Sequence, residues 1–158
     1  MKKNLILILL ILLSVSCAKP LYVAKDLPVE YVSKTYEGSS YADVWHATRW
    51  ALRMTEYPVK DEDKRQGTII TSWVSVETDS HYVEFFNRKD YGTTGSYHQL
   101  EIHVLNMGGS VKVEVGSRAK SMLTNLKSTK SEEKLILQKI SDALRSEDIR
   151  VTNVGLEE

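Results

Sequence analysis

The chain has 158 residues, 21 Lys and Arg against 21 Asp and Glu, 42% hydrophobic residues and one cysteine, Cys17. The charge balance provides no basic footprint for nucleic acid, and a lone cysteine excludes a disulfide framework, a zinc–thiolate site and, for the folded part, thiol catalysis. The length suits one domain whose core needs neither disulfide nor metal to stand.

In chain order, Lys2 and Lys3 precede nine unbroken apolar residues, Leu5 to Leu13, and then the small residues Ser14-Val15-Ser16. A transmembrane helix needs about 20 apolar residues, so this run has the shape of a secretory signal and not of a permanent anchor. Cys17 follows at once. It has no second cysteine to pair with and no folded context, which leaves acylation as its chemistry.

The position of Cys17 resembles the lipobox of bacterial lipoproteins, in which a cysteine acylated by chains such as palmitate becomes the first residue of the mature protein. Leucine usually stands three residues before that cysteine; here Ser14 does, with Leu13 one place further back. Plain secretion is the alternative. Ala18 in place of aspartate resembles lipoproteins sent on to an outer membrane. Residues 1–16 are thus expected to be a signal peptide, and removing them leaves 19 basic against 21 acidic side chains. Residues 17–28, with Pro20 and Pro28, read as a lipidated tether, and residues 29–158 as a single domain.

Within that domain Tyr31 to Tyr36 is rich in β-formers and ends at Glu37-Gly38-Ser39-Ser40, a turn with a helix start. Ser40 is the expected N-cap, answered by Asp43 three residues later. A helix is predicted over Tyr41–Met54, with Tyr41, Val44, Trp45, Thr48, Ala51 and Leu52 on its apolar face. Lys60 to Gly67 reads as a solvated polar turn, its Asp61-Glu62-Asp63 cluster balanced by Lys60, Lys64 and Arg65. Strands are expected over 68–76 and 81–86. Asn87 to Ser96 reads as a flexible connection, because no Gly-Lys-Ser or Gly-Lys-Thr and no helix follow its glycines.

Leu100, Ile102 and Val104 alternate with Gln99, Glu101 and His103. After Asn106-Met107-Gly108-Gly109 the alternation resumes with Val111, Val113 and Val115, giving two antiparallel strands with one buried face. A polar stretch, 117–130, leads to a second helix from Ser131 with Ile136, Leu137, Ile140, Ala143 and Leu144 on one stripe. A last β-like segment, Ile149 to Val154, closes the chain. Several successive antiparallel strands between two segregated helices define an α+β two-layer domain, its sheet of about five to six strands carrying both helices on one face.

Tyr36 to Ala47, then Ala51-Leu52, Tyr57-Pro58-Val59, Asp63 and Gly67 to Trp73, resemble the helix-grip domains of BamC-type lipoproteins. In those domains a small-residue turn precedes a helix containing Val-Trp, and a strand pair reads aspartate, glycine, isoleucine, threonine, tryptophan. The resemblance implies a helix-grip-like fold, and BamC is an accessory lipoprotein of the outer-membrane β-barrel assembly machinery. BamC has an extended N-terminal segment and two such domains, whereas this chain has a short tether and one.

Catalytic and metal sites are not expected. His46 falls on the first helix beside Trp45 and His81 in or near a strand, while His98 and His103 are five residues apart, on opposite faces of one continuous strand, which spoils them as joint ligands. No Gly-x-Ser-x-Gly, His-Glu-x-x-His or supported carboxylate pair occurs, so the chain reads as a non-enzyme without cofactor. Trp50, Tyr82, Phe86, Tyr91 and Tyr97 are candidates for a partner-binding surface, while Trp45 and Trp73 suit the core. Two functions are expected from these readings. The first is a membrane-anchored, periplasm-facing lipoprotein serving as an interaction module in an envelope complex, with outer-membrane protein assembly the version implied by the resemblance. The second is a lipoprotein that binds a lipid or small apolar ligand between sheet and helices.

Overall fold

The computed structural model describes residues 22–23, 29–75, 79–91, 96–121, 123 and 126–146. The expected signal peptide, Cys17 and the expected strand over 149–154 lie outside them.

The first helix, α1, runs Tyr41–Met54 as its periodicity predicts. The Ser40 hydroxyl accepts from the Asp43 amide at 3.1 Å and donates to the Asp43 carboxylate at 2.7 Å, so the cap satisfies one of the otherwise unpaired donors of the first turn. Val44, Trp45, Ala47, Thr48, Ala51 and Leu52 are buried. Thr48 is tolerated there because its hydroxyl donates back to the Val44 carbonyl at 2.7 Å. The second helix, α2, spans Ser131–Arg145 and buries Ile136, Leu137, Ile140 and Ala143, with Leu144 partly covered.

Both helices pack on one face of an antiparallel sheet, against each other and against its long strands. Strands β8 (Tyr97–Asn106) and β9 (Ser110–Ser121) form the central hairpin, turned by Gly108 and Gly109, both at positive φ. Alternate residues Leu100, Ile102 and Val104 of β8 and Val111, Val113 and Val115 of β9 are buried beneath the helices. Full burial of each such aliphatic side chain contributes about 1.5–3 kcal/mol, which is the main force holding helices to sheet. β2 (Tyr31–Glu37) pairs with β9 from Tyr31↔Gly116 to Glu37↔Ser110. On the other side β4 (Thr68–Thr71) pairs with β8, and β3 (Val59–Asp63) forms the edge beyond it.

Among the described residues this sheet has seven strands, more than the five to six expected, and a separate three-stranded sheet stands beside it. Four local features account for the difference. Asp61, Glu62 and Asp63 lie on the edge strand β3 and not in a turn; the turn is Lys64 to Gly67, where the Asp63 carboxylate accepts from the amides of Arg65 and Gln66. Charged side chains on an exposed edge are a common guard against further pairing, so polarity alone does not mark a loop. The expected strand over 68–76 breaks at Ser72-Trp73, with β5 (Val74–Ser75) resuming against His98 and Tyr97 of β8. At the break the Thr71 hydroxyl accepts from the Leu100 amide, and the Gln99 side chain donates to the Thr71 carbonyl.

The third feature is the hairpin of β6 (His81–Phe85) and β7 (Arg88–Tyr91), closed by Phe86 and Asn87, both at positive φ. Residues 88–91 are therefore strand, where a flexible connection was expected; β10 (Lys127–Ser128) completes this sheet on the other side of β6. Fourth, the expected tether contributes β1 (Tyr22–Val23), which pairs with Ser121 and Lys120 at the far end of β9.

Candidate functional site

Where the two sheets and the start of α2 meet, the core changes from aliphatic to polar. Glu133 sits in the first turn of α2, where its charge suits the helix dipole, yet it is 0% exposed. The Ser117 hydroxyl of β9 donates to its Oε1 at 2.8 Å and the Ser128 hydroxyl of β10 at 2.9 Å. Ser128 in turn accepts from the Lys130 amide, which fixes the chain as it enters α2.

Two histidines lie in the same interior. His81, the first residue of β6, is 1% exposed and His98 of β8 is 2% exposed; their rings stack with centroids 5.4 Å apart and 20° between planes. The Tyr57 hydroxyl, brought in by the segment after α1, donates to Oε2 of Glu132 at 3.0 Å and lies 2.5 Å from Nε2 of His98. With the Tyr57 proton directed to Glu132, His98 carries its own proton on Nε2, and its Nδ1 has no partner among the described residues. Nδ1 of His81 meets the Ser80 hydroxyl at 3.1 Å, while its Nε2 has no partner among the described residues.

Burial sets the ionisation of this pair. Desolvation, with a smaller contribution from Lys130, lowers the pKa of His81 to about 4. Desolvation also lowers His98 to about 4, assisted by His81 and opposed by Glu133. Both imidazoles are therefore neutral near pH 7. A cavity of about 350 Å³ opens beside His81, lined also by Val29, Glu30, Tyr82, Ser117, Arg118, Ala119, Leu126, Lys127, Ser128 and Lys130.

A second polar group lies on the opposite face of the main sheet. Glu101 accepts from the Tyr31 hydroxyl at 2.9 Å and pairs with Arg118 at 2.6 Å, and Nε2 of His103 lies 3.3 Å from it. Burial, then the hydrogen bond to Glu101, pushes the Tyr31 phenol up to about 12. His98 and His103 thus serve different faces of β8, as their spacing requires.

The five aromatic residues expected to form a partner surface do not share one location. Tyr82 and Tyr91 are cross-strand partners on the β6–β7 hairpin with ring centroids 5.9 Å apart, and Lys89 Nζ lies 4.6 Å from the Tyr82 ring. Phe86 occupies the tip of that hairpin and is 98% exposed. Tyr97, at the start of β8, is exposed on the other sheet, and Trp50 is half-buried against the main core. Trp45 is buried in that core; Trp73 is half-buried, with Lys120 Nζ 5.7 Å from its ring.

The histidine pair escaped the sequence reading, although half of its signal was present. His98 has the same strand parity as Leu100, Ile102 and Val104, which places it on the buried face; nothing in the sequence brings His81 to it. No group of three or more potential metal ligands occurs among the described residues, nor any helix long and apolar enough to cross a membrane.

No family model matches the chain, and no curated protein does. Among solved structures, a norcoclaurine synthase point mutant from Thalictrum in complex with a transition-state analogue is 14% identical over 80% of this chain and 96% of its own, with a TM-score of 0.40. A DUF4468 family protein from Bacteroides ovatus is 17% identical over 85% of this chain and 91% of its own, with a TM-score of 0.34. Both similarities are low in identity and in superposition, and the site described above rests on its own geometry.

Proposed function

We propose that the protein is a lipoprotein of the bacterial envelope, acylated at Cys17 and held at a membrane surface, whose helix-grip-like domain docks a protein of the same compartment without catalysing a reaction. The address rests on Lys2-Lys3, the apolar run and the small residues before Cys17. The outer membrane, facing the periplasm, is the location that Ala18 favours, and barrel assembly is the complex that the BamC resemblance suggests.

One observation carries the docking role. Phe86 is 98% exposed and sits at φ 45°, in the left-handed region. A two-residue hairpin turn with both positions at positive φ favours Asn-Gly or Gly-Gly, and a bulky residue there costs on the order of 1–2 kcal/mol. Phe86 thus gains nothing from burial and costs conformational energy, a combination that suits a side chain held out for a partner.

The test is recovery of co-purifying envelope proteins from mildly solubilised membranes, comparing the native chain with Cys17→Ala and Phe86→Asn. Asn suits the turn, so the second variant should fold with stability equal to or up to about 1 kcal/mol above the parent while losing the partner. Cys17→Ala should leave the membrane fraction. Capture of the same partner by Phe86→Asn at undiminished yield would remove the docking role of the hairpin, and retention of Cys17→Ala in the membrane would remove the anchor.

A further inference from the structure

We propose that the segment Ile149–Val154 adds as a further antiparallel strand to the open edge of β2, covering the groove between β2 and α2. The segment lies outside the described residues; the surface that would receive it lies within them. β2 (Tyr31–Glu37) pairs with β9 along one side, and among the described residues no strand pairs with its other side. About half of its N–H and C=O groups therefore point outward, and a seven-residue edge without proline is a ready template for another strand.

The path of the chain selects the occupant. α2 runs in the same direction as β2. Lys130 Nζ donates to the Glu30 carbonyl, and further along the Tyr36 hydroxyl donates to the Leu137 carbonyl at 2.9 Å and Lys34 Nζ to the Ser141 hydroxyl at 2.7 Å. The chain thus leaves α2 toward the Glu37 end of β2, and a strand that follows returns antiparallel to it. Residues 146–148 form the link, within the two to six or so residues usual between a helix and a strand, and reach on the order of 10 Å, enough to pass from the helix layer to the sheet edge. Ile149 and Val151 alternate with Arg150 and Thr152. With Arg150 opposite Glu37, Val151 meets buried Tyr36 on the helix side, and Thr152 meets exposed Thr35 on the outer side.

Charge points to the same occupant. The groove has a volume of about 380 Å³ and is lined by three cations, Lys34, Lys134 and Arg145, against one carboxylate, Asp142. None of the three cations has an ion-pair partner among the described residues. Residues 147–158 carry Glu147, Asp148, Glu157 and Glu158 against Arg150 alone, with the acids on either side of the β-like stretch. Six strand residues span about 20 Å, close to the roughly 16 Å that separates Lys134 from Arg145 along the axis of α2, so acids meet cations at both ends of the groove. The strand so placed closes β2 to edge-to-edge pairing with a second copy of the chain. None of this depends on the Phe86 hairpin.

The test is amide hydrogen exchange, read by NMR, on the full chain with Cys17→Ser and on the same chain ending at Ser146. The outward amides of β2 should exchange at least about tenfold more slowly in the full chain, while those of β8 stay equally protected in both, which reports that the shortened chain is folded. A nitroxide attached at Thr152→Cys in the full chain should broaden the amide resonances of β2 far more than those of β3 at the opposite edge, and this readout does not need the shortened chain to fold. Equal exchange of β2 with and without residues 147–158 would overturn the proposal, as would a nitroxide that broadens β2 and β3 alike or neither. Protection of β2 only at concentrations where the full chain dimerises would overturn it too, and would give the edge to a second copy.

Discussion

Acidification from pH 7 to pH 5 tests the interior directly, because it charges histidine in the unfolded chain before most carboxylates respond. His81 and His98 have native pKa values of about 4 against an ordinary 6.5. A base whose native pKa lies below its unfolded value destabilises the fold wherever the unfolded chain binds the extra proton. Stability is therefore complete above pH 6.5 and falls as the pH drops from 6.5 toward 4. At pH 5 the loss is about 2 kcal/mol for each histidine and roughly 4 kcal/mol for the pair, a large share of the 5–15 kcal/mol typical of a domain. Stacking 5.4 Å apart makes the doubly charged state still less favourable, so the native pair stays neutral through this window. The assay is urea unfolding followed by tryptophan fluorescence at half-unit pH steps at constant ionic strength. His81→Phe should reduce the loss between pH 7 and pH 5 to about half. A native protein whose unfolding free energy changes by less than about 1 kcal/mol across that range would refute the reasoning, as would a His81→Phe variant with an undiminished slope.

Backbone and packing predictions follow from two further places. Gly67 sits at φ +71°, and a Cβ added there would lie 2.2 Å from the Val104 carbonyl oxygen, whereas Gly38, at φ +68°, has nothing within 4 Å. Gly38→Ala should cost about 1 kcal/mol from conformation alone and Gly67→Ala at least about 2 kcal/mol, read as denaturant midpoints at unchanged m; equal costs would contradict the close approach of the β3–β4 turn to β8. Glu133→Leu should cost roughly 1–3 kcal/mol by leaving the Ser117 and Ser128 hydroxyls without their acceptor, and Glu133→Gln less, since its amide oxygen still accepts. Thermal unfolding of the two variants beside the parent checks that order.

Much of the scaffold was legible from residue order. The α1 boundaries, its Ser40 cap, the start of α2 and the alternation of β8 and β9 all follow from local spacing, because a helix face and a strand face are periodic in sequence. The strands that escaped, β3 and β7, are exposed and charged. Their existence depends on a partner strand more than on their own pattern. Glu133 and His81 escaped for a related reason: a glutamate in a first helical turn and a histidine beginning a strand look like surface residues until the neighbouring chain is known.

By itself, the sequence determined the class of fold and the faces of the main helices, since each depends on residues close together in the chain. Tertiary structure alone decided that His81 of β6, His98 of β8, Tyr57 after α1 and Glu133 of α2 share one desolvated interior beside a cavity. Burial is a property of what surrounds a residue, and four segments distant in sequence had to meet before two histidines lost their ordinary basicity and Nε2 of His81 and Nδ1 of His98 were left without a partner among the described residues.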